Sequence, residues 1–114
     1  MPTRYYISLP DPAKARGNDT AFAFSAQGSE ALAQQLQDAL RSDGLFERWR
    51  SAQEDPEGVD PSLGATDPAA TVTGQQDDLH VDLIVVTALP GSVLKHRLRL
   101  LAGNGWELRD VSAA

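Results

Sequence analysis

From Leu79 to Val111 the chain reads strand, proline-glycine break, helix, glycine turn, strand. Val81, Leu83, Ile84, Val85 and Val86 form a nearly continuous apolar run rich in β-branched residues, the pattern of a central strand buried on both faces. Pro90 lacks an amide donor and ends it with Gly91. Ser92 is placed to cap a helix. Leu94, Leu98 and Leu101 recur at helical spacing, with Val93 and Leu100 widening the stripe and Lys95, His96 and Arg99 on the other side. Gly103 or Gly105 closes this helix in the left-handed conformation. Trp106, Leu108 and Val111 follow in a short strand.

Upstream, Tyr5, Ile7 and Leu9 alternate with Arg4, Tyr6 and Ser8, predicting a first strand that Pro10 and Pro12 end. Gly17-Asn18 marks a loop. Phe22 and Phe24 alternate with alanines, predicting a second short strand that pairs antiparallel with the first. Gly28-Ser29 opens a helix with Glu30 near its positive end. Its buried stripe is Leu32, Leu36, Ala39 and Leu40. Gly44 is expected to stop it, with Leu45 folding back on the last turn. Phe46 and Trp49, three apart, predict a short second helical segment with Glu47, Arg48 and Arg50 wet.

Residues 54–78 break the pattern. Three prolines, three glycines and few large apolar residues bury too little surface to offset ordering entropy. A flexible acidic loop over 54–76 is expected, and neither half of the chain has a sufficient core alone, so 1–114 reads as one domain. The resulting order is β-β-α-(long loop)-β-α-β. This predicts an α+β two-layer sandwich, a four-stranded mixed sheet with two helices on one face. It is similar in architecture to ferredoxin-like folds, but the expected order of elements departs from their β-α-β-β-α-β.

Charge sharpens this picture. The net charge is −6, and seven of the sixteen acids lie in residues 51–79, where there is no base. The remaining nine acids face ten bases, so the body is nearly neutral and a general attraction to nucleic acid is not expected. No apolar run is long enough for a membrane span. The N-terminus lacks the apolar segment of a secretory signal. Absence of cysteine excludes disulfides, thiol chemistry and cysteine zinc sites. A cytoplasmic, bacterial-type protein is the expectation.

The leucine-rich helix, the glycine turn and Gly105-Trp106-Glu107-Leu108 resemble the C-terminal part of a short bacterial domain family of unknown function. The resemblance covers about the last quarter of the chain. It implies no chemistry and carries over no catalytic residue. Packing alone gives Trp106 a role at the core edge, its indole N–H near water.

Two polar clusters are candidates. Asp78, His80 and Asp82 alternate at the start of the central strand, so their side chains share a face. Two carboxylates and an imidazole suit a divalent metal or general acid–base work, with Asp77 a fourth ligand through a loop bend. The plainer reading is a solvated strand end. Lys95, His96, Arg97, Arg99 and Arg109 form the basic concentration, suited to phosphate or an acidic partner, or simply a wet helix face. No glycine-rich phosphate loop or serine triad is present.

The sequence thus favours a small non-catalytic binding or protein-interaction module, with Lys95, His96, Arg99 and Arg109 as its contact residues. Its partner is an unknown protein or a second copy in a weak homodimer, and the acidic segment screens the Lys95–Arg99 face. One alternative is a metal-dependent hydrolase using Asp78, His80 and Asp82. Another is a nucleic-acid-associated accessory protein. No cofactor is expected, a divalent metal being possible.

Overall fold

The computed structural model describes residues 2–114. The elements are strand β1 (Thr3–Leu9), helices α1 (Ser29–Arg41) and α2 (Gly44–Ser51), strands β2 (Thr71–Asp77) and β3 (His80–Thr87), helix α3 (Gly91–Ala102) and strand β4 (Glu107–Ala113). Two 3-10 turns, Pro56–Gly58 and Pro61–Gly64, precede β2. The fold is α+β, with a four-stranded sheet packed against helices on one face. The strand order is β2-β3-β1-β4, and all three pairings are antiparallel.

The core lies between one face of this sheet and the two leucine stripes. Tyr5, Ile7 and Leu9 of β1 join Val81, Leu83 and Val85 of β3. Leu32, Leu36 and Leu40 of α1 and Leu94, Leu98 and Leu101 of α3 cover them. In β3 burial alternates strictly, with His80, Asp82, Ile84 and Val86 only partly covered. The expectation of burial on both faces therefore fails. Helices pack on one side alone, so the β-branched run has an open face.

The Phe22–Phe24 strand does not form. That segment crosses the end of α3 instead. The amides of Gly17 and Phe24 donate to the Leu101 carbonyl at 3.0 and 2.8 Å, satisfying an acceptor that the helix end leaves free. Phe22, Ala23 and Phe24 are all buried there, unlike the alternation of a strand in a sheet covered on one face. The missing strand is β2, at the end of the expected loop. Its Val72 amide donates to Gln37 Oε1 at 3.0 Å and Gly74 lies against α1.

Helix ends also differ in detail. Gly28 precedes α1 with φ 88, and no side chain caps it. Gly44 starts α2 rather than stopping α1, so Leu45 is a buried helical residue. Pro90 occupies the cap position of α3, with no side-chain cap bond from Ser92. Gly103 closes α3 with a positive φ of 61, but its ψ of −120 lies outside the expected left-handed helical region. The Trp106 indole donates to the Gly103 carbonyl at 3.0 Å, so the turn and not water takes it.

Asp67 pins the acidic segment to the sheet. Its carboxylate accepts from Ala88 N at 2.9 Å, Thr87 Oγ1 at 2.8 Å and Ala69 N at 3.0 Å. These bonds, the Ala88 amide foremost, hold its pKa below 3.8. Asp67→Ala should cost about 1–3 kcal/mol at neutral pH. A lowered folded pKa means the charged form stabilises above the unfolded value, and that contribution is lost as pH falls through the folded value. Urea unfolding across a pH series should show wild type and variant converging in acid. A gap that persists undiminished there would assign the loss to packing instead.

Candidate metal centre

β2 and β3 form a hairpin whose turn is Asp78-Leu79, with Asp77 directly opposite His80 and Gln75 opposite Asp82. Residues opposite one another in an antiparallel pair share a face. Asp77, His80 and Asp82 therefore project together from the open face. Their ligand atoms all lie within 4.8 Å of one another. His80 Nε2 is 3.4 Å from Asp82 Oδ2 and 3.8 Å from Asp77 Oδ2. Ligands about 2.1 Å from one tetrahedral metal sit about 3.4 Å apart. The His80–Asp82 pair has that spacing already, and Asp77 stands 3.8 Å from the imidazole nitrogen. The cluster is suited to a divalent metal.

Asp78 is not part of it. It is the first turn residue, at φ 56, and is exposed. The left-handed backbone takes its side chain out of the strand's alternation, so the two-residue spacing to His80 no longer implies a shared face. Asp77 takes its place. The turn is braced from behind by Gln76, whose Nε2 donates to the carbonyls of Asp78 and His80 at 2.9 and 3.1 Å.

Beside the cluster the open face forms a depression lined by Tyr6, Gln75, His80, Asp82, Ile84 and Arg109. Tyr6 stands opposite Ile84 on the middle strands and opposite Asp110 on β4. Tyr6 was legible as the outer face of β1. Gln75 and its strand were not, because they fell within the expected loop.

The basic residues are divided among three environments. Lys95 and Arg99 are exposed on α3. Arg109 lies on β4, on the opposite side of the sheet from the helices, with its guanidinium 3.4 Å from Glu107. His96 is half-buried, its ring 4.5 Å from that of Trp49 and its Nδ1 without a partner. Burial, then the neighbouring Arg97 and Arg99, lowers its pKa. Arg97 is fully buried, contrary to its expected place in the basic concentration. Its position, three after Leu94 and four before Leu101, puts it on the leucine stripe. Lys95, His96, Arg99 and Arg109 thus do not form one face. Among the described residues the acidic segment's ion pair runs from Glu57 to Arg50 at 3.8 Å, not to Lys95 or Arg99.

Comparison with protein-family models finds none that matches this chain. Comparisons with curated proteins and with solved structures find no match either. Among the described residues no helix is long and apolar enough to cross a membrane.

Proposed function

We propose that Asp77, His80 and Asp82 hold a divalent cation and that the chain acts through it as a metal-dependent hydrolytic centre. The observation supporting this is the convergence of two carboxylates and one imidazole from a braced hairpin onto an open sheet face. Three protein ligands leave coordination positions for water and substrate, the mark of catalytic rather than closed structural sites. A bound cation would supply a water ionised near neutral pH. The adjoining depression offers Tyr6 and Ile84 as apolar wall and Arg109 as a cation, a combination fitting an anionic substrate. The interaction-module reading has less support, since His96 is half-buried, Arg97 is buried and Arg109 lies across the sheet, which leaves Lys95 and Arg99 alone on the exposed face of α3.

The test is a titration with Mn²⁺ or Zn²⁺ followed by amide shifts and calorimetry. Asp77, His80 and Asp82 should respond together and saturably, whereas Asp78 should respond only through the turn. His80→Ala should weaken binding at least about tenfold, since even loss of an outer-shell partner costs about 10–100-fold in affinity. Asp78→Ala should leave affinity within about twofold, because a charge in the turn contributes only screened attraction. Absence of a saturable response at millimolar metal would remove this reading.

A further inference from the structure

The two edges of the sheet are managed differently. The β2 edge lies under α1, where Gln37 takes the Val72 amide and Arg41 Nε donates to the Ala70 carbonyl at 2.7 Å. The β4 edge has no such cover. Every β4 residue but Ser112 is exposed. Leu108 and Val111, 38% and 48% exposed, are with Leu79 of the hairpin turn the exposed large hydrophobics among the described residues. Leu108 stands opposite Ile7 and Val111 opposite Tyr5, both core residues. The helix-side core therefore ends in an uncovered apolar step at β4. An open edge is a template for another strand, but charges and bulges oppose indiscriminate pairing, and β4 carries both, so a partner strand has to match them.

The charge pattern says which strand. The register between β1 and β4 shifts at Tyr6/Ile7, which leaves Arg109 as an additional, unpaired residue. Such a bulge sets two residues against one and interrupts alternation. It places Arg109 and Asp110 together on the open face, where both line the depression, and keeps Leu108 and Val111 together on the helix side. The run Leu108-Arg109-Asp110-Val111 is then self-complementary under a two-fold axis normal to the sheet. In an unbulged strand the same run would set opposite faces against each other.

We propose that β4 pairs antiparallel with the β4 of a second copy, joining two sheets into one of eight strands. Arg109 lies opposite the partner subunit's Asp110, and Leu108 opposite the partner subunit's Val111, each contact occurring twice. In the single chain Asp110 Oδ1 accepts from the Val111 amide at 2.9 Å, which leaves Oδ2 for the guanidinium. The pairing covers the apolar step and matches opposite charges at the seam. It also places the partner subunit's Arg109 at the rim of the depression beside the metal cluster. It does not depend on metal being bound.

Sedimentation velocity at low salt and rising protein concentration tests it. The wild-type chain should pass from monomer to dimer. Arg109→Asp sets two carboxylates against each other at two symmetric points, and Asp110→Arg sets two guanidinium groups there. Each should weaken the dimer at least about tenfold, since like charges directly opposite oppose pairing. The double exchange, Arg109→Asp with Asp110→Arg, restores opposite charges and should restore the dimer to within about threefold of wild type. Both exchanged positions are exposed, so far-UV spectra should show every β4 variant folded. A chain that stays monomeric throughout overturns the proposal. So does a dimer indifferent to both single exchanges. A dimer broken by Tyr6→Asp or Ile84→Asp, but not by the β4 exchanges, would place the contact on the open sheet face and overturn it likewise.

Discussion

Replacing Gly74 by alanine should destabilise the protein by about 2–3 kcal/mol, the range for forcing a side chain into a filled contact. A Cβ on Gly74 overlaps the Ser29 carbonyl oxygen and falls 2.8 Å from its carbon and 3.1 Å from the Ala33 Cβ. The first two are backbone atoms at the start of α1, so no rotamer change relieves them. Either β2 or α1 must shift. An unstrained glycine-to-alanine exchange normally stabilises by about 0.4–1 kcal/mol through the unfolded chain. Gly44→Ala is the matching control, because nothing lies within 4 Å of its added carbon. Urea unfolding should therefore move in opposite directions for the two. Because β2 carries Asp77, Gly74→Ala should also weaken metal binding, while Gly44→Ala should not. Equal stabilities for the two variants would mean that β2 does not lie against α1 as described.

Arg97→Met should stabilise the protein by about 1–3 kcal/mol. The guanidinium is fully buried, donates once, to the Ala65 carbonyl at 3.0 Å, and leaves Nε and one terminal nitrogen without partners. Burial lowers its pKa, opposed by the more distant Asp43. The Phe46 ring, 5.7 Å from the guanidinium carbon, returns some attraction. No carboxylate bonds it, and replacing buried charge by a similar apolar volume often stabilises by about 1–4 kcal/mol. Methionine keeps the volume and helix preference. Arg97→Ala removes the stem as well, and should destabilise by about 2 kcal/mol through the cavity it leaves. Calorimetric unfolding of both variants separates charge from packing. Destabilisation by methionine equal to that by alanine would show that the buried charge is fully compensated.

The sequence exposed what periodicity governs. Both leucine stripes, β1, β3 and the closing Gly103 follow from spacing, because burial on one helix face leaves a strong imprint. β2 was hidden because Thr71–Asp77 has one buried apolar residue, Val72, and an internal glycine. Its pairing is dictated by β3 and its packing by α1, and neither appears in local composition. The Phe22–Phe24 error has the opposite origin. Two phenylalanines two apart satisfy a strand's period, yet their segment is fixed by the carbonyl at the end of α3.

The site was legible in residue type and displaced by one in register. Asp78, His80 and Asp82 share a face only if the strand includes Asp78. The hairpin turns there without glycine, the usual marker of a two-residue turn, so its position was not visible. Arg97 was misplaced for a related reason. Residue type outweighed a helical position that fell on the apolar stripe.

The antiparallel pairing of β1 with β3 and β4 carries a consequence for how the chain is made. Thr3 meets Thr87 on one side and Ala113 on the other, so the first strand pairs only with strands synthesised long after it. Loop closure over such distances slows folding, toward milliseconds to seconds for domains dominated by remote contacts. The β2–β3 hairpin closes locally and has no such delay. During synthesis Tyr5, Ile7 and Leu9 therefore wait unpaired until the β2–β3 hairpin, which carries their first partner strand, has been made. Until β3 emerges the apolar residues of β1 have no strand to pair with, and it is then that chaperone contact has most to protect.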